Sequence, residues 1–209
     1  MILTTNEIVF LTSVSKGRKP LGVTYTLPSD GNRIRYMEET MEMLKEKKIL
    51  DEQQKLTTDG LYLLRFWEGY RNGKNHFSIN NTYFMPVNKK YMLMLEKRNE
   101  QYFFQCISPE LILFELLRQS EGLRQGEETP IRGKWFDLEE WENDIDQLSE
   151  IIMFREYYYG KIKEEKAYAF KGSQGYIINL KQKRAREIST GWMRKQIFQE
   201  ITGSGGAEE

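Results

Sequence analysis

Residues 89–118 read KKYMLMLEKRNEQYFFQCISPELILFELLR, and residues 166–199 read KAYAFKGSQGYIINLKQKRAREISTGWMRKQIFQ. Each stretch holds short runs rich in aromatic and branched residues, then Ile-Ser, then an apolar helical pattern. The Ile-Ser pairs are Ile107-Ser108 and Ile188-Ser189. Aromatic and branched runs fit pleated, half-buried strands, and a serine before an apolar run is a helix cap. The two stretches predict an α+β fold. Its halves, about 1–118 and 136–201, are quasi-repeated antiparallel sheet-plus-helix units within a single domain over 1–201, with an N-terminal helical segment.

The helix after Ser108 starts clearly. Serine caps, Pro109 suits the first turn, and Glu110 favours the positive end of the helix dipole. Leu111, Ile112, Phe114, Leu116 and Leu117 are apolar nearly all round, so this helix is expected to be well buried. Before it, residues 76–107 read as strands, with a hairpin turn at Arg98-Asn99-Glu100. Earlier still, TNEIVFLTSVS predicts a helix over 5–15 capped by Thr5 or Asn6. Ile34, Met37, Met41 and Leu44 recur at steps of three, four and three, which predicts a helix over 34–49 with one apolar face. A small extended piece at Lys55-Leu56 precedes a helix capped by Thr57 or Thr58, running to about Tyr70 and stopped by Asn72-Gly73. That order and size are winged-helix-like.

Beyond the polar connector 119–135, Asp137 and Glu140 have capping-box spacing. Leu138, Trp141, Ile145, Leu148 and Ile152 keep helical steps, so a helix is predicted from 137 to 152. Strands follow near 156–162, 166–171, 174–181 and 184–188, and a last helix spans about 190–201. Residues 202–209 read as a disordered tail.

The 209 residues include 12 Tyr, 11 Phe and 4 Trp, enough for a substantial core. Thirty-one basic and 31 acidic residues cancel, which removes the usual electrostatic argument for a nucleic-acid partner. The lone cysteine, Cys106, forms no internal disulfide and reads as a small buried hydrophobe in QYFFQCI. The opening MILTTNEIVFL lacks the basic region of a secretory signal. No run approaches the roughly 20 apolar residues of a membrane span. The expectation is a cytoplasmic protein without a membrane partner.

Catalytic patterns are scarce. His76 is the one histidine, so no His-rich metal site is available, and no G-x-S-x-G elbow exists. The glycines of GSQGY (172–176) belong to a hairpin turn rather than a phosphate loop. The acids of DLEEWENDIDQLSE (137–150) fall on the solvated face of their expected helix. The reading is a non-enzyme with no catalytic residues, no cofactor and no metal. Charge is uneven: between 155 and 186, Arg155, Lys161, Lys163, Lys166, Lys171, Lys181, Lys183, Arg184 and Arg186 face only Glu156, Glu164 and Glu165. This basic sheet pairs with the acidic helix or meets an acidic partner. An alternative function is a winged-helix DNA-binding regulator with an appended sensor domain. Helix 34–49 would then enter the major groove, but its basic residues are nearly balanced by Glu38, Glu39, Glu42 and Glu46.

Leu3-Thr4-Thr5-Asn6-Glu7, then Pro20-Leu21, then MLKEKKIL closing a helix, and then two sheet-and-helix halves resemble the EspG-like family of type VII secretion chaperones. Members begin with L-T-x-x-E. The present chain is shorter and richer in Lys and Glu than typical members, as expected of a distant Gram-positive one. The resemblance implies a non-catalytic cytoplasmic chaperone or adaptor that holds a helical secreted protein. The candidate surface comes from the residues themselves: Tyr157, Tyr158, Tyr159, Tyr168, Phe170 and Tyr176, interleaved with Lys161 and Lys163. Aromatics supply contact area at low entropy cost, although strand alternation sends half of them into the core.

Overall fold

The computed structural model describes residues 1–25, 33–125, 133–141, 147–172 and 174–203. The chain is α+β, with antiparallel strands and helices, and it divides into two units. The first comprises Met1–Lys74, Asn81–Met85 and Leu93–Gln105. The second comprises Asn75–Asn80, Pro86–Met92 and Cys106–Glu209.

In the first unit, strand β1 (Ile2–Thr4) leads directly into helix α1 (Thr5–Val14). The cap is Thr4 rather than Thr5 or Asn6. Its hydroxyl accepts from the Glu7 amide, and the Glu7 carboxylate accepts from the Thr4 amide at 2.6 Å. This capping box satisfies two amide donors that a helix start leaves open. Glu7 is fully buried and its charge is met by Lys47 Nζ at 2.6 Å. The L-T-x-x-E stretch therefore has a local physical reason: a buried leucine, then a reciprocal cap.

Helix α2 (Arg33–Glu46) follows. Of its expected apolar face, Leu44 is buried and Met41 packs partly on the core, whereas Ile34 and Met37 are exposed. A single β-bridge joins Leu50 to Leu56, and Thr57 caps helix α3 (Thr58–Asn72) as the sequence suggests. The order of helices and bridge matches the sequence reading, but order alone does not make a winged helix. After strand β2 (Asn75–Ile79) of the second unit, strands β3 (Thr82–Pro86), β4 (Met92–Arg98) and β5 (Gln101–Ile107) complete the first, in the order β1-β5-β4-β3. Trp67 and Tyr70 of α3 pack on Phe104 of β5 with ring centroids 5.5 and 5.8 Å away, nearly edge-on. Aromatic pairs of this geometry add about 1 kcal/mol beyond the area they bury. The Arg71 guanidinium is buried and donates to the carbonyls of Thr12, Ser15, Gly17 and Arg18, so α3 clasps the chain leaving α1.

The second unit adds helices α4 (Pro109–Gln119) and α5 (Glu121–Gln125), strand β6 (Phe136–Asp137), a 3-10 turn (Leu138–Trp141), strands β7 (Glu150–Tyr158), β8 (Lys161–Lys171), β9 (Gln174–Asn179) and β10 (Arg184–Ile188), and helix α6 (Thr190–Thr202). The strand order is β2-β7-β8-β9-β10-β6, with every neighbour antiparallel. Ala167, Ala169, Tyr176, Ile178 and Ala185 fill one face of this sheet, under Phe136, Leu138 and Leu148. Alternation sends Lys166, Tyr168 and Phe170 to the other face. Gly122 of α5 lies so close to the Phe170 ring that a Cβ there would sit 2.4 Å from it. Ser108 and Ser189 cap α4 and α6 in the same way, accepting from the amides of Leu111 and Trp192. The two quoted stretches thus share a local device.

Three expectations are corrected. The helix expected over 137–152 is a 3-10 turn at 138–141 followed, after residues that lie outside the described ones (142–146), by the start of β7 at Glu150. Ile151-Ile152-Met153-Phe154 pairs with β8 on one side, and Phe154 also meets Ile79 of β2 on the other. Two flanking ladders outweigh the helical steps of Leu138 to Leu148 that Ile152 continues. The helix α4 is only half buried, with Ile112 inward and Leu111 and Phe114 exposed. Cys106 is exposed, because the alternation that buries Tyr102 and Phe104 shifts by one position and buries Ile107 instead. The expected tail beyond Gly203 lies outside the described residues.

Candidate functional site

Strands β7 and β8 form a hairpin whose two turn residues, Tyr159 and Gly160, both have positive φ (50° and 76°). That conformation matches the right-handed twist of the strands, and glycine takes it without strain. Near the turn the register shifts between Glu156 and Tyr157, so Tyr157 faces Ile162 while Glu156 faces Glu164. The bulge twists the end of the hairpin and separates its tip from the packed part of the sheet.

The eight candidate residues divide accordingly. Tyr157, Tyr168, Phe170 and Tyr176 are buried and offer no surface. The Tyr157 hydroxyl lies 3.4 Å from Ser78 Oγ, Phe170 backs onto Gly122, and Tyr176 belongs to the core on the opposite face. Tyr158 and Tyr159 are 50% and 38% exposed, with rings edge-on at 4.5 Å. Lys161 and Lys163 are exposed beside them, and so is Ile162 at 57%. The structure therefore gathers five residues at the tip: four named from sequence, and Ile162, whose place two positions from Gly160 in a strand was the available signal.

Below the tip lies a polar cluster that sequence reasoning missed. The Lys166 ammonium is 2.6 Å from Glu200 Oε1 and 3.2 Å from Glu164, and the Tyr168 hydroxyl donates to Glu200 Oε1 at 2.8 Å. The Lys166 and Glu200 side chains are only 9% and 10% exposed. Lys166 also sits 5.4 Å over the Phe154 ring. Burial works against the Lys166 charge, but the adjoining carboxylates of Glu200 and Glu164 outweigh it and raise its pKa. Burial raises Glu200 above the usual carboxylate range, against the pull of Lys166. Burial, followed by the nearby Glu200 charge, holds the Tyr168 phenol un-ionised. A readable signal existed: Lys166 shares the inward alternation of Tyr168 and Phe170, and Glu200 shares the helical face of Met193 and Ile197. An inward lysine needs an inward acid.

Three of the nine basic residues of this sheet are seen to pair within it. Arg155 meets Glu165, Lys163 meets Glu156, and Lys166 meets Glu164 and Glu200. One pair, Arg184 with Asp137, reaches the segment expected to be the acidic helix. His76 is buried rather than half-buried. Among the described residues no group of three or more His, Cys, Asp and Glu side chains is placed to hold a metal ion, and no helix is long and apolar enough to cross a membrane.

Residues 2–206 match the family described as a domain of unknown function, DUF5081, and the chain belongs to that family. A search of the curated proteins finds no match to it.

Proposed function

We propose that the protein is a non-catalytic adaptor or chaperone that holds a helical protein segment, and that the β7–β8 tip is its contact surface. The observation that carries this reading is the exposed, edge-on pair Tyr158 and Tyr159, with Lys161 opposite Tyr158 on the same face of the hairpin. Two exposed aromatic rings beside a lysine suit an amphipathic helix with an acidic flank. Each well-covered aromatic anchor is worth roughly 2 kcal/mol on truncation. The resemblance to EspG-like chaperones supplies the class of client, a helical substrate of type VII secretion in the cytoplasm. The DNA-regulator alternative gains no such support. On α2, Arg35 is spent on Glu39 and Lys45 on Glu42, which lowers the positive potential a groove-reading helix needs.

A photo-crosslinking residue at Tyr158, with Glu100 as the control position, tests the reading in the source cell. The expected product joins Tyr158 to a helical, acidic secreted polypeptide and is lost in Tyr159→Asp. Equal products from both positions, or none from Tyr158, would refute it.

A further inference from the structure

The second unit contains a cavity of about 630 Å³ walled by β2, β7, β8 and the end of α6. That size suits a small organic molecule. Nothing in the adaptor reading uses it.

Its walls are specific in three respects. First, they carry three carboxylates, Glu156, Glu164 and Glu200, against two ammonium groups, Lys163 and Lys166. Both ammonium groups are already engaged by those same carboxylates. One unit of negative charge is left over. Second, two buried acceptors lack a described donor. Glu200 uses Oε1 for both Lys166 and Tyr168, while its buried Oε2 accepts from no described group, and the buried Oε1 of Gln196 does likewise. A buried acceptor without a donor costs on the order of 1–3 kcal/mol. Third, the wall at Gly203 is the C-terminal end of α6, a thirteen-residue helix with no basic side chain in its last turn. The negative end of a helix dipole favours a cation. Beside these polar groups Phe77 and Phe154, stacked at 5.6 Å and exposed by only 5% and 1%, close the cavity against water.

We propose that this cavity binds a small organic cation of the alkylamine class, its ammonium group toward Glu200 and its carbon chain filling the remaining volume. An ammonium brings three donors to the two unmatched acceptors, together with the missing positive charge. A bare divalent ion would bring twice the charge against Lys166 and would fill little of a cavity of about 630 Å³. An anion would meet the surplus negative charge.

The test is calorimetric titration of the full chain with spermidine at low ionic strength, with magnesium and L-arginine in parallel and thermal melts alongside. Spermidine should bind and raise the melting temperature. Glu200→Gln, which keeps shape and removes charge, should weaken binding at least about tenfold, or roughly 1.4 kcal/mol. Glu156→Gln should weaken it in the same direction, and Glu115→Gln, which is not part of the cavity wall, should not. If Glu200→Gln fails to fold, Glu156→Gln with an unchanged circular-dichroism spectrum decides. Absence of binding to the wild type, equal affinity in Glu156→Gln, or magnesium matching spermidine would each overturn the proposal. Stronger binding of arginine would keep the site and move the ligand class to guanidinium compounds.

Discussion

Replacing Lys166 by methionine should be among the most damaging single changes in the second unit. The two side chains have similar length, so the change removes a charge more than a volume. It leaves the Glu200 carboxylate, nine-tenths buried, with the Tyr168 hydroxyl as its one remaining donor among those the structure shows. Breaking a buried ion pair by removing one partner costs about 3–5 kcal/mol, chiefly because the other charge stays behind. Glu164 loses a partner too, but it is 43% exposed and water takes over. With a urea slope of about 2.5 kcal/mol per molar, the midpoint should fall by roughly 1–2 M. The double variant Lys166→Met with Glu200→Gln should recover much of that loss, since no unpaired charge is then buried.

The pH dependence gives a second, independent readout. Glu200 has a folded pKa raised above its ordinary 4.5. The folded state therefore binds the proton more readily between those two values, and stability falls as pH rises through that window. Lys166 lowers Glu200 within this balance, so losing it extends the window upward. Lys166→Met should lose more stability between pH 5 and pH 7 than the wild type, and Glu200→Gln should abolish the difference. The raised Lys166 itself contributes stability that is complete below its ordinary 10.5 and is lost only above it, as pH passes the folded value. Urea melts followed by circular dichroism at pH 5, 7 and 10 measure all of this. A cost under about 1 kcal/mol for both single variants, with no coupling between them, would refute the argument that this pair is buried and interdependent.

Thr4→Ala removes the hydroxyl half of the α1 capping box and should cost about 1 kcal/mol by urea denaturation, with Thr4→Ser restoring most of it. Gly122→Ala places a methyl group 2.4 Å from the buried Phe170 ring and should destabilise by about 1–3 kcal/mol despite the better helix propensity of alanine; Phe170→Leu in the same chain should relieve part of the cost. Cys106→Ser should change stability by less than about 0.5 kcal/mol, and the native thiol should react with a soluble disulfide reagent without denaturant, because the side chain is exposed.

Local chemistry was legible in the sequence. Ser108, Ser189 and Thr57 were each readable as caps, because a cap bonds to an amide three residues along the same chain. The turn at Asn99 lies where an asparagine tolerates positive φ. The α+β class followed from where alternation gives way to helical spacing. Tertiary structure decided the rest. Ile152 continues the helical steps of Leu138 to Leu148, and only the ladder to β8, with that of nearby Phe154 to β2, 75 residues away in sequence, made the segment a strand. Lys166 and Glu200 are 34 positions apart, so their pairing exists only once α6 lies on β8. Exposure was undecided for the same reason. Tyr158 and Tyr168 are the same residue type on one hairpin. One is half exposed near the turn and the other is fully buried. No property of a tyrosine sets that difference; it comes from which part of a strand the rest of the chain covers.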